Sequence, residues 1–202
     1  GAGLAGLGQA LIGARRAGAS VSMRVERPSP RVTIAQVVAG LSPGAIDGRC
    51  ALTRIDASHA ETAYDLHRQA MAPSADGPWD ESERRGDFNQ LLARVPSFFI
   101  EIDDTISGYL QVLPRREILH VVNIGLAVAC RGQGHGTTLM RWLQAEACVR
   151  ACGLHLKTYR TNPRALVFYR RCGFIQSHRD ARHWWLDWWP AGGGPTVQPR
   201  RK

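Results

Sequence analysis

The sequence predicts an α/β domain of seven strands and four helices, in the order β-α-α-β-β-β-α-β-α-β-β. Three observations carry this. Short runs rich in Val, Ile, Leu and Phe, bounded by Gly, Pro and Asp, recur from Cys50 to Trp189. Between them lie longer segments with apolar residues at helical spacing. The composition, 44% hydrophobic and 21% charged over 202 residues, is that of a globular chain able to build a sizeable core.

Taken in order, Cys50–Ile55 reads as a short strand. Ser58 is placed to cap the following helix, with Glu61 three residues on in a capping-box pattern. That helix runs to about Met71 and stops before Pro73. Asp76-Gly77-Pro78 is a turn. Asp80 to Arg94 is a second helix with Phe88, Leu91 and Leu92 on one stripe, and Pro96 ends it. Ser97–Asp103 and Ile106–Leu113 are strands joined by a tight Asp-Asp-Thr turn, and Ile118–Val128 is a long apolar strand. The Gly-rich run Arg131-Gly-Gln-Gly-His-Gly136 comes next. A helix follows with Leu139, Met140, Leu143 and Ala147 on one face, and Gly153 is expected as its C′ residue. Leu154–Arg160 is a strand. Asn162-Pro163 supplies an N-cap and an N1 proline to a helix that ends at Gly173. Arg170 and Arg171 stand in its last turn, where the dipole favours cations. Phe174–Arg179 and His183–Trp189 form a closing hairpin.

Residues 1–48 are rich in Gly, Ala, Pro and Arg and read as an extension or linker. Residues 49–190 read as the domain, and 191–202 as a flexible basic tail. The chain begins with Gly rather than Met, as expected of a processed or truncated start, and Met23 is a candidate internal start. The first twenty residues lack the basic region that precedes the apolar stretch of a secretory signal. No apolar run approaches the ~18–20 residues of a membrane span. The net charge of +9 invites a nucleic-acid reading, but its distribution does not. Residues 1–49 carry +4, residues 191–202 carry +3, and the body between them only +2. A phosphate-backbone binder needs its basic stripe on the folded surface, so nucleic acid is disfavoured as the principal partner. The odd set Cys50, Cys130, Cys148, Cys152 and Cys172 has no zinc spacing. Reduced thiols, a cytoplasmic location and no metal are expected.

The strongest chemical feature is the long strand feeding Arg131-x-x-Gly134-x-Gly136 and a helix. Alternating glycines let the backbone approach a ligand with its N–H groups turned inward. The helix N-terminus adds about half a positive charge, making an anion cradle suited to a pyrophosphate. A P-loop is excluded, because no Gly-Lys-Ser/Thr follows. The dinucleotide fingerprint is excluded by the Gly132-x-Gly134-x-Gly136 spacing and by the absence of an acid over residues 150–160.

A second motif lies beyond it: Asn162-x-x-Ala165-x-x-Phe168-Tyr169-x-x-x-Gly173-Phe174. With both motifs present, residues 50–188 resemble the GNAT superfamily of acetyl-CoA-dependent N-acetyltransferases. The resemblance implies a central twisted sheet, mixed but mostly antiparallel, flanked by about four helices. It implies transfer of acetyl from acetyl-CoA to a primary amine by direct attack, on a small molecule or a protein N-terminus. By the same resemblance, Leu126, Ala127 and Val128 meet the acetyl carbonyl and pantetheine through the main chain, and the Leu126 amide stabilises the oxyanion. Val128 stands where the family usually has Pro. Gly132, Gln133, Gly134, His135, Gly136 and Thr137 offer N–H groups to the pyrophosphate, with Arg131 beside it. Asn162 contacts the pantetheine arm while also capping its helix. Tyr169 matches the family's general acid for the leaving thiolate, and a core aromatic is its structural alternative. Trp79 and Asp80, in Gly77-Pro78-Trp79-Asp80-Glu81, match an acceptor-side loop.

The base stays open. His120 shares a strand face with Val122, Ile124 and Leu126 by alternation and has a suitable intrinsic pKa. An ordinary strand histidine is the competing reading. Glu101, also a candidate acceptor contact, and Asp103 are rivals, and a water chain is another route. Where some relatives carry an acid, this chain has Lys157. Trp184 and Trp188 fall on one strand face, Trp185 and Trp189 on the other. They serve either core or homodimer packing or stacking on an aromatic acceptor. Two other functions compete with catalysis: an acetyl-CoA-binding module without turnover, and a nucleoprotein-associated protein using basic ends. The intact loop and Tyr169 favour catalysis.

Overall fold

The computed structural model describes residues 44–75, 77–115 and 117–194. The readings of residues 1–43, of Asp76 and of the tail from residue 195 lie outside the described residues.

The eight strands are β1 (Gly44–Ala45), β2 (Cys50–Arg54), β3 (Ser97–Ile102), β4 (Thr105–Arg115), β5 (Ile118–Leu126), β6 (Gly153–Tyr159), β7 (Ile175–Arg179) and β8 (His183–Trp188). They form one sheet in the order β1-β2-β3-β4-β5-β6-β8-β7. Every neighbouring pair is antiparallel except β5 with β6. The helices are α1 (Ala60–Met71), α2 (Glu81–Arg94), α3 (His135–Val149) and α4 (Pro163–Arg171). The expected mixed sheet and four helices are present. The additional strand is β1, two residues long and paired with β2 inside what read as linker.

Adjacent residues of β4 mark the two faces. Tyr109 joins Phe99, Ala63, Tyr64 and Phe88 beneath α1 and α2. Leu110 joins Phe98, Ile100, Leu139, Met140, Leu143 and Tyr169 beneath α3 and α4. The period of two thus assigns alternate side chains to two separate clusters. As alternation requires, Trp184 and Trp188 pack on the α3/α4 side. Trp185 stacks on His155 on the other side.

Two expected caps are replaced. Ser58 does not cap α1. The Asp56 carboxylate instead accepts from the Ser58 amide at 2.8 Å and opens a 3₁₀ turn that leads into α1. Gly153 is not the C′ residue of α3. Ala151 takes the left-handed conformation, φ 49°, with its N–H on Cys148 and the Cys152 N–H on Ala147. Gly153 opens β6, where a Cβ would lie 2.8 Å from the Trp189 ring. Other caps form as expected. Asp80 accepts from Glu83, Asn162 accepts from Ala165, and Gly173 closes α4 at φ 85°. No described helix is long and apolar enough to cross a membrane.

Candidate active site

The site starts from a break in the sheet. β5 and β6 are paired in parallel only from Ile118/Gly153 to Val121/Leu156. Beyond that, Val122–Leu126 and Lys157–Tyr159 continue without pairing to each other, so a wedge opens between the strands. A bulge sits where the pairing ends. Val112 faces Val121 but Gln111 faces Asn123, leaving Val122 without a counterpart. A polar chain fixes the strand beyond the bulge. Asn123 donates to Gln111, Gln111 to Ser97 and Ser97 to the Val95 carbonyl, at 2.8, 3.0 and 2.8 Å.

The bulge corrects the expected placement of His120. Leu119 and Val121 face the α3/α4 core before it, whereas Ile124 and Leu126 face that core after it. His120 therefore lies on the opposite face from Ile124 and Leu126, in the paired part of the strand. Its ring is 5.2 Å from that of His155, which contacts the Asp187 carboxylate. His120 Nε2 is buried without a hydrogen-bond partner among the described residues. Burial, helped by His155 and the Lys157 and Arg115 cations, lowers its pKa to about 4.

Glycines give the wedge its walls. A Cβ on Gly125 would lie 2.5 Å from Ala70 Cβ and 2.9 Å from Tyr109, and one on Gly108 would lie 2.4 Å from the Gly125 carbonyl. The end of α1 therefore seats directly on the open part of β5.

At the tip of β5 the chain enters the glycine loop. Gly132 and Gly134 adopt φ 76° and 93°, and Gly134 is the N-cap of α3. No backbone or side-chain acceptor takes the N–H groups of Gly132, Gln133, Gly134, His135 or Gly136 among the described residues. These groups collect at the positive end of a 15-residue helix. A Cβ on Gly132 or Gly134 would meet nothing within 4 Å, so the space in front of them is open. Gly136 differs, because a Cβ there would lie 3.3 Å from the Phe168 ring and 3.8 Å from Leu126. The Thr137 N–H is turned back to the Gly134 carbonyl at 2.8 Å. Arg131 donates from Nε to the Leu126 carbonyl at 2.8 Å, and Gln133 donates to the Ala129 carbonyl. Ala127 donates to the Ser107 carbonyl, while Val128 is exposed.

Tyr169 projects from α4 and is 8% exposed, with the rings of Phe168 and Phe174 beside it. Burial raises its pKa, so the phenol keeps its proton. Tyr109 is fully buried, and the phenols of Tyr169 and Tyr159 push its already raised pKa further. Tyr109 is hydrogen-bonded to His67 Nδ1 at 2.9 Å. Burial, with the nearby Arg84 cation, lowers the His67 pKa to about 4, so His67 is neutral at neutral pH. The His67 ring contacts Trp79 at 5.8 Å and Phe88 at 4.8 Å. Trp79 is thus brought to the α1/α2 side of the wedge.

Other sequence candidates stand elsewhere. Asp80 is occupied as the cap of α2. Glu101 accepts from Thr53 on the far side of β3, and Asp103 pairs with Arg49. The sequence reading missed His67, Tyr109 and Tyr159. Only the spacing of α1 places His67 on the same side as Tyr64, three residues earlier, and nothing local links it to Tyr109. No described cluster of His, Cys, Asp and Glu is arranged to hold a metal ion.

The acetyltransferase (GNAT) family model matches residues 60–174, more than half of the chain. The chain belongs to this family. Solved GNAT structures share the fold. PaiA N-acetyltransferase from Thermoplasma acidophilum, in complex with coenzyme A, matches with a TM-score of 0.59 at 13% identity. That match covers 70% of this chain and 99% of the other. The ribosomal-protein-S18-alanine N-acetyltransferase from Escherichia coli matches at 0.53 and 18% identity, over 68% and 90%. Mutant forms of the spermidine/spermine N-acetyltransferase SpeG from Vibrio cholerae match at 0.54 and 14% identity, over 72% and 96%. No curated protein matches the chain in sequence. In this GNAT fold, the wedge and the glycine loop meet at the tip of β5, where Phe168, the neighbour of Tyr169, packs near Leu126.

Proposed function

We propose that the chain transfers an acetyl group from acetyl-CoA to a primary amine by direct attack. The observation that carries this reading is the junction of an open wedge with a row of unpartnered N–H groups at the α3 N-terminus. The cradle fits a pyrophosphate, because it offers donors, a positive helix end and clear space. Gly132, Gln133, Gly134, His135 and Gly136 would hold that group. Arg131 would brace the loop through its bond to Leu126. Asn162, which caps α4 just past the end of β6 that has parted from β5, would face the pantetheine arm.

Acetyl-CoA supplies the activated acetyl thioester. The residues of this chain supply position, a proton and an oxyanion donor. Leu126 would direct its amide at the developing oxyanion. Tyr169, kept protonated by burial, would give its proton to the departing thiolate. Because α3 and α4 cover one face, the amine approaches from the other, past α1, Tyr109, His67 and Trp79. Neutral His67, with the Tyr109 hydroxyl, would accept or relay the proton the amine loses. His120 is set back in the paired part of β5 and faces His155 instead.

A coenzyme-A release screen over a panel of amines tests the reading, alongside the acetyl-CoA-induced shift of the melting temperature. Turnover with a thermal shift supports it. A shift without turnover of any amine would favour an acetyl-CoA-binding module instead.

A further inference from the structure

The acceptor side of the wedge holds two cations that form no ion pair among the described residues. Arg84, on α2, is half-buried. Its guanidinium lies 5.6 Å from the Trp79 ring, which also meets His67 at 5.8 Å. Its Nε is buried without a hydrogen-bond partner, and no ion pair includes it among the described residues. Leaving a buried donor of a charged group unmet is costly, so such a group calls for an anion. Across the wedge, Lys157 stands where β6 has parted from β5 but still pairs with β8, its ammonium 5.3 Å from the Trp185 ring.

Four carboxylates on the elements around these cations are already engaged. Glu81 accepts from Arg85 and from the Trp79 indole N–H. Asp80 caps α2. Asp180 accepts from Trp185 and from the amides of Arg182 and His183. Asp187 is engaged by His155. A polycationic amine would meet these engaged acids while its own charge faced Arg84 and Lys157. Arg84 presents the planar donor geometry that suits a carboxylate.

We propose that the acceptor is a small amine that carries a carboxylate, of the α-amino-acid class, and that Arg84 anchors that carboxylate beside the Trp79 ring. This rests on the acetyl-transfer reading. The acceptor's amine then points past His67 toward the wedge, and its carboxylate points toward α2. Lys157 adds favourable charge from the other side.

The test pairs α-amino acids with their decarboxylated amines, for example phenylalanine with phenethylamine and methionine with its decarboxylated counterpart. Coenzyme-A release is measured for each with the full chain. We expect kcat/KM to favour the amino acids, and Arg84→Gln to reduce that preference about 10-fold or more, mainly through KM. Arg84→Lys should retain part of it. Calorimetry with coenzyme A present, using the amino acid as probe, should show weakened binding in Arg84→Gln. Equal or better turnover of the decarboxylated amines by the wild-type protein would overturn the proposal. So would an unchanged preference in a folded Arg84→Gln. Failure of every amine, with or without a carboxylate, would instead count against acetyl transfer itself.

Discussion

His67 Nδ1 lies 2.9 Å from the Tyr109 hydroxyl, tying α1 to the middle of the sheet beside the wedge. The bond joins a histidine that burial keeps neutral to a phenol that burial keeps protonated. The Tyr109 O–H can therefore donate to a neutral imidazole across a wide pH range.

This pair makes stability depend on pH in a defined direction. The folded His67 pKa, about 4, is below its ordinary 6.5. As pH falls, the unfolded chain takes up the proton first. The stability associated with neutral His67 is complete above about pH 6.5 and is lost as pH falls towards 4, by up to about 3 kcal/mol. His120 contributes with the same sign but less, being more open to solvent. His67→Gln should flatten the fall of melting temperature between pH 6.5 and 4. An equally steep fall in the mutant would contradict the assignment.

The same shifts bear on catalysis. Neither His67 nor His120 titrates near pH 6–7 in the fold. The kcat/KM profile should therefore show no limb from His67 or His120 there, and its dominant ionisation should follow the acceptor amine. His120→Ala should leave the profile from pH 6 to 7 unchanged. Loss of a limb in that window on His120→Ala would restore His120 as the base.

Gly125→Ala should destabilise the fold by about 1–3 kcal/mol, the usual cost of overpacking. Its Cβ would lie 2.5 Å from Ala70 Cβ. Chemical denaturation of Gly125→Ala, Ala70→Gly and the double variant should show non-additivity, with the second change relieving part of the first. Strict additivity would mean that α1 does not seat on β5 as described.

Tyr169→Phe keeps the rings of Phe168 and Phe174 in contact while removing the hydroxyl. We expect kcat to fall about 100-fold, with acetyl-CoA affinity little changed. Full activity in the variant would leave Tyr169 as a packing residue.

Much of this site was legible in the sequence because it is local. The glycine spacing, the Asn162-Pro163 cap and the Gly173 stop each depend on a few consecutive residues, and each is in place. The bulge at Val122 was not legible. A run of Val, Asn, Ile and Gly alternates equally well with or without a skipped residue, and only pairing with β4 reveals the skip. That one residue decides which face His120 occupies. The Ala151 stop was hidden for a related reason, because glycine is the usual left-handed residue and Gly153 stood nearby. The His67–Tyr109 bond spans 42 positions and leaves no local trace.

The most direct measurement of the central claim compares the wild-type chain with Gly134→Asp. The added Cβ meets nothing within 4 Å, although φ 93° adds a strain of about 1–2 kcal/mol. It places a negative charge where the cradle's N–H groups converge. Acetyl-CoA should raise the melting temperature of the wild type and support coenzyme-A release with an amine, and a folded Gly134→Asp should do neither. A wild-type chain that shows no acetyl-CoA shift, or a Gly134→Asp variant that keeps it in full, would contradict the account.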